Sequence, residues 1–93
     1  MCTMNSPMVK VQLVDYYDVW GNAEDGYEVN NISREDTFEL ENLEDETIIE
    51  KLKEIHYLNE NATVENITVD DYYPYMEILE SNGYPLGRLE VVE

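Results

Sequence analysis

Carboxylates dominate the chemistry open to this chain: 22 Asp and Glu stand against 5 Lys and Arg, with one His and one Cys, for a formal net charge of -17. Such groups can work in pairs as general acid and base, hold hard cations, or meet a basic partner. The first use lacks its accessories. His56 falls near the end of an expected helix, Cys2 lies in the leading "MCTMNSP", and the Ser residues have no basic neighbour, so no nucleophile and base are placed together. Two carboxylates at glycosidase separation would need a cleft, which a thin core of 93 residues is too small to enclose. The chain reads as non-catalytic and without a cofactor.

The second use is tested by "DVWGNAEDGYEVN", residues 18–30, where acids, Asn and two Gly crowd together. A helix-loop-helix calcium loop needs oxygen ligands at alternate positions before a Gly at the sixth. Counting back from Gly26 gives Gly21, Ala23 and Asp25, and counting back from Gly21 gives Tyr16, Asp18 and Trp20. Neither is a ligand set. Closely spaced glycines opening a helix are also absent, and the carboxylates would repel a phosphate. The stretch reads instead as a connection between strands. Gly21 and Gly26 permit positive φ, Asn22 and Asp25 tolerate it, and Trp20 is large enough to anchor the loop at the core edge. The rival reading makes Trp20 and Tyr27 an exposed aromatic contact ringed by acids, as at protein interfaces.

That leaves a basic partner, and the placement of charge favours one. Residues 15–50 carry thirteen acids against Arg34 alone. A surface of this kind is repelled by nucleic acid and anionic membranes and attracts Lys/Arg-rich surfaces. A single Cys allows no disulfide framework within the chain. No basic start precedes an apolar run and no window approaches eighteen apolar residues, so a cytoplasmic protein without a membrane span is expected, and the sequons at Asn31, Asn61 and Asn66 are incidental.

The elements that must position these acids follow from periodicity. A tail, residues 1–8, is expected to be flexible and to precede one domain spanning residues 9–93. Val9, Val11 and Leu13 alternate with Lys10 and Gln12, the period of a half-buried strand. Phe38 and Leu40 alternate with Thr37, Glu39 and Glu41, a second strand with an acidic outer face. Over residues 42–58, Ile48, Leu52 and Ile55 make an apolar helical stripe with Ile49 beside it, Asn42 is placed to cap with Asp45 three residues on, and Asn59 to stop the helix. Ile67 and Val69 mark a third strand. Asn82-Gly83 predicts a two-residue hairpin turn that pairs Glu77 with Arg88, Leu79 with Leu86 and Met76 with Leu89, with Met76, Ile78, Leu89 and Val91 on the core face. The expected fold is α+β: a small antiparallel sheet of four to five strands with one helix on a face, in the order β-β-α-β-β-β. Tyr72, Tyr73 and Tyr75 around Pro74 read as edge packing, with an apolar dimerisation patch as the alternative, and the chain as a monomer or weak homodimer.

The segment "DVWGNAEDGYEVN", the acidic-start helix ending "HYL" and the terminal "NGYPLGRLE" resemble small uncharacterised proteins of bacteriophages and prophages over most of residues 9–92. The resemblance implies a phage-type protein working in an infected or lysogenic bacterial host, and it assigns no catalytic residue. In composition the chain is also similar to phage anti-restriction and anti-CRISPR inhibitors. Carboxylates displayed like a phosphate backbone would occupy the Lys/Arg groove of a host nucleic-acid-binding protein, with no direct contact to nucleic acid. The candidate surface is Trp20, Glu24, Asp25, Tyr27, Glu28, Glu35, Asp36, Glu39, Glu41, Glu44, Asp45 and Glu46. The alternative is a small phage interaction or structural module whose acids only solubilise it.

Overall fold

A computed structural model describes residues 8–92; Cys2 and the other residues of the expected tail up to position 7 lie outside the described residues, as does Glu93. Five strands and one helix follow one another as β1 (Val9–Asn22), β2 (Gly26–Leu40), α1 (Asp45–Glu54), β3 (Ile67–Tyr72), β4 (Tyr75–Glu80) and β5 (Pro85–Val91). The strands form one antiparallel sheet with lateral order β2-β1-β5-β4-β3, so the last strand lies in the middle and β2 and β3 are the edges.

The alternating apolar residues of the inner strands define one sheet face. Leu13 stands opposite Leu89 and Leu89 opposite Met76, and Ile78 stands beside Val69. All five are buried and share a core cluster with Val11, Leu40 and the helical Ile48, Ile49 and Leu52. Positions one step along face the other way and include polar pairs, Gln12 opposite Glu90 and Glu77 opposite Arg88, together with the fully buried Val14 opposite Arg88.

The helix is shorter than its apolar stripe and sequence signals suggest. It begins at Asp45 with Glu44 as a cap that makes no side-chain bond, while Asn42 Oδ1 accepts the Glu44 N–H instead. It ends at Glu54, because His56 adopts a left-handed φ of 66° and the N–H groups of Tyr57 and Leu58 both turn back to the Leu52 carbonyl. Asn59 therefore caps nothing in this helix; it accepts the Asn61 N–H in the loop that follows.

That helix stop throws Tyr57 across the sheet. Its single hydroxyl proton is shared between two acceptors, Asp15 Oδ1 at 2.9 Å and the Leu86 carbonyl at 2.7 Å, tying the helix end to both β1 and β5. Gly87 lies beneath it: a β-carbon there would collide with the Tyr57 hydroxyl and the Val14 carbonyl. A strand glycine is needed here for close approach.

The β4–β5 turn corrects the expected register. Only Gly83 of the Asn82-Gly83 pair has a positive φ, Gly83 N–H donates to the Glu80 carbonyl, and Glu80 N–H to the Tyr84 carbonyl, so three residues turn the chain where two were expected. Glu77 with Arg88 and Met76 with Leu89 pair as the alternation indicates, but a register shift after Ile78 sets Leu79 opposite Pro85, not Leu86.

Gly87→Ala is expected to lower stability by about 1–3 kcal/mol through overpacking, and Tyr57→Phe by about 1–2 kcal/mol through lost hydrogen bonds. Urea unfolding followed by circular dichroism measures both; a neutral Gly87→Ala would remove the close approach from the account of the fold.

Candidate functional site

The stretch 18–30 is itself mostly strand. Val19 pairs with Val29, Trp20 with Glu28 and Gly21 with Tyr27, leaving only Ala23–Asp25 as the turn. Asn22 Oδ1 accepts the N–H groups of Glu24 and Asp25, and Gly21 and Gly26 take φ of 112° and 94°. Irregularities between Tyr16 and Asp18 and between Asp18 and Val19 break the two-residue period, which is why simple alternation does not reveal the strands here. Because β1 pairs with β5 only over Val11–Asp15, the remainder of β1 and its partner in β2 extend as a two-stranded arm, and the molecule measures 54 × 26 × 22 Å.

The arm separates the two aromatic residues. Trp20 is 65% exposed, and its indole N–H donates to Asp18; it anchors nothing to the core. Tyr27 belongs to the opposite face of the ribbon, where its ring meets Tyr84 edge-on at 5.4 Å. A single Trp20–Tyr27 contact is therefore not formed.

The ten candidate acids are all exposed and fall into three groups along β2 and the helix start. Glu24, Asp25 and Glu28 stand at the arm tip. Glu35 and Asp36 oppose Leu13 together, because the register moves from Gln12–Thr37 to Val14–Arg34 and leaves two residues against one. They share a small pocket of about 290 Å³ with Asp15 and His56. Glu39, Glu41 and Glu46 line a groove of about 640 Å³ between β2 and α1, and Glu44 and Asp45 adjoin it at the helix start. Glu41 lies just beyond β2, so it does not share a strand face with Glu39 as expected. Between the tip and the bulge, residues 28–35 span roughly 23 Å of extended strand.

Four of the five Lys and Arg pair with acids outside the candidate set. Among the described residues the ion pairs are Arg34–Glu90, Arg88–Glu90, Lys51–Glu54 and Lys53–Glu50, and none uses a candidate acid. Lys10 stands opposite Glu39 in the ladder without forming an ion pair with it. Other acids, including Glu60, Glu65, Asp71 and Glu80, are exposed away from β2, so negative charge extends beyond the three groups.

Glu90 anchors the polar face. Burial opposes its ionisation, but hydrogen bonds from Arg34 and Arg88 outweigh that and hold its pKa below the usual 4.5. Arg88 also donates to the Tyr16 hydroxyl, which donates to Glu77 Oε2 at 3.1 Å, so the cross-strand Glu77–Arg88 pair is bridged through a phenol instead of meeting directly. Burial, ahead of the opposing effects of Arg88 and Glu77, raises the Tyr16 pKa. The Tyr72 and Tyr75 rings stand 5.6 Å apart, with the Arg88 guanidinium 5.9 Å from Tyr75.

Sequence reasoning passed over Glu50 and Glu54, which complete the groove with Met8, Leu40, Thr47 and Lys51. The signal was present: Glu46, Glu50 and Glu54 are spaced four apart, one line on a helix. No group of three His, Cys, Asp or Glu able to hold a metal occurs among the described residues, and no described helix is long and apolar enough to cross a membrane. No family model, curated protein or solved structure matches the chain.

Because the folded-state pKa of Glu90 is depressed, the stabilisation it gives is present above the unfolded value and fades as pH falls through the folded one. The stability advantage of the native protein over Glu90→Gln is expected to be constant near neutrality and to shrink below about pH 4.5. Urea midpoints of both proteins across pH 3–7 (on the order of the carboxylate range) test this; an advantage independent of pH would dissociate Glu90 from its two arginines.

Proposed function

We propose that the protein is a non-catalytic, phage-type inhibitor that occupies the Lys/Arg-lined channel of a host nucleic-acid-binding protein by mimicking a phosphate backbone. The observation that carries this reading is the row of unneutralised carboxylates along edge strand β2 and the start of α1: none of the ten is ion-paired among the described residues. The fifteen residues of β2 span roughly 50 Å and carry the acids as separate groups, with roughly 23 Å of strand free of carboxylates between the tip and the bulge. A basic channel relieves the mutual repulsion of these groups and releases its own counterions on binding, so affinity falls steeply with salt. The partner is a Lys/Arg-rich host protein inside an infected or lysogenic bacterium, and the resemblance to anti-restriction and anti-CRISPR inhibitors supports that class.

A second reading, a general interaction module, draws on Trp20. An exposed indole on a projecting arm, flanked by Asp18 and Glu28, is the type of residue that dominates protein interfaces.

Incubation with a bacterial lysate at low and high salt, followed by identification of the captured proteins, tests the first reading. Nucleic-acid-binding proteins are expected at low salt, with DNA or RNA displaced from them. Charge reversal at Glu35, Asp36, Glu39, Glu41, Glu44, Asp45 and Glu46 is expected to abolish both effects, while Trp20→Ala leaves them. Capture lost with Trp20→Ala and retained after charge reversal would establish the interaction module in place of the decoy.

A further inference from the structure

The outer edge of β2 has no neighbour in the sheet. Which of its backbone groups are free follows from the far side of β1. Val92 N–H donates to the Lys10 carbonyl at 2.9 Å, so the main-chain groups of Lys10 point towards β5. In an antiparallel ladder such a residue is non-hydrogen-bonded to the partner on its other side, and the partner's N–H and C=O point outward. Lys10 stands opposite Glu39, and Gln12 opposite Thr37 with no register break between them. The N–H and C=O of both Thr37 and Glu39 therefore face the open edge.

The groove between β2 and α1 begins at this same place. Its floor includes Leu40 and the half-exposed Met8, and Glu39, Glu41, Glu46, Glu50 and Glu54 line it with a single cation, Lys51. Lys51 is held by Glu54 at 3.1 Å and lies 5.7 Å from the Phe38 ring. An apolar floor below a carboxylate rim suits Lys and Arg side chains, whose methylene stems cover apolar surface while their heads reach anions. The same rim opposes a second copy of this chain, since two β2 edges would bring like charges together.

We infer that β2 recruits its partner by strand addition: an extended, Lys/Arg-bearing segment of the target protein hydrogen-bonds to Thr37 and Glu39 and lays alternate cationic side chains into the β2–α1 groove. This mode of recognition takes affinity from main-chain bonds and specificity from every second side chain. It rests on the reading of the acidic row as a partner surface and names the element of the partner that engages it.

The test uses the full chain and an eight-residue, end-blocked peptide of alternating Lys and Thr, with binding followed by fluorescence anisotropy. A second peptide of the same charge carries N-methyl groups on its Thr residues, which removes strand pairing without altering attraction. The plain peptide is expected to bind at least ten-fold more tightly than the methylated one and to slow amide exchange at Thr37 and Glu39. Thr37→Pro, which deletes an outward donor that serves no internal bond, is expected to reduce binding by a similar factor. Glu39→Gln with Glu46→Gln weakens both peptides.

Equal binding of the two peptides overturns strand addition, and this comparison on the native protein holds even if Thr37→Pro fails to fold. Equal binding accompanied by loss in the Glu-to-Gln variant leaves the acidic surface as a partner site without strand pairing. No effect of either change overturns both readings. A dimer through β2 at neutral pH, seen by sedimentation, would assign the edge to a second copy and likewise overturn the proposal.

Discussion

Burial of Ile48, Ile49 and Leu52 with the apolar face of the inner strands is the interaction on which the rest of this molecule depends. Each such side chain contributes about 1.5–3 kcal/mol when withdrawn from water. These gains must offset the ordering of the chain together with repulsion among groups summing to -17. No disulfide can assist, since the sequence holds a single Cys. With so small a core, the Tyr57 clasp over Gly87 has a particular role: it fixes the end of a ten-residue helix to two different strands and so keeps the cover in register with what it covers.

Fixing one face of the sheet also decides where the cations go. Arg34 and Arg88 converge on Glu90 at the polar side of the central strands, with Tyr16 and Glu77 extending the network. Lys51 and Lys53 pair with glutamates one helical turn away. Arg34, although on β2, turns to Glu90, and the β2 carboxylates have no ion partner among the described residues. The distribution of charge at the edge is thus partly a consequence of how the middle of the sheet is held together. A chain with 5 Lys and Arg cannot both secure its polar face and neutralise its border.

Much of this was legible before the fold was known, for reasons specific to each element. The Val9, Val11, Leu13 alternation and the Met76–Leu89 pairing carry a clean period of two, and both lie on the core face. The arm was hidden because irregularities around Tyr16–Val19 break that period, so paired strands resemble a polar loop. Helix length was overestimated because the stop depends on the left-handed turn at His56 and on where Tyr57 finds partners 42 and 29 residues away. No local pattern encodes those partners, although an isolated Gly87 inside a strand hints at a close approach. Among the candidate acids, type and exposure were readable, whereas their division into tip, bulge and groove groups was not. Nor could sequence show that Trp20 and Tyr27 fall on opposite faces of one ribbon.

Strand edges invite unwanted pairing, and charged side chains are a common defence. On β2 that defence has a sign. A border carrying both Lys and Glu would discourage all comers about equally, whereas one carrying carboxylates without ion partners discourages anionic strands, including its own copies, and favours cationic ones. In the proposed strand addition, solubility and recognition arise from the same residues, and no separate binding pocket is required of a core this thin. The consequence is a division of labour along the chain. The apolar alternation in β1, β4 and β5 sets the shape. Leaving the outer edge of β2 open exposes the Thr37 and Glu39 peptide groups, and in the proposed strand addition the acids beside them select the kind of chain that approaches.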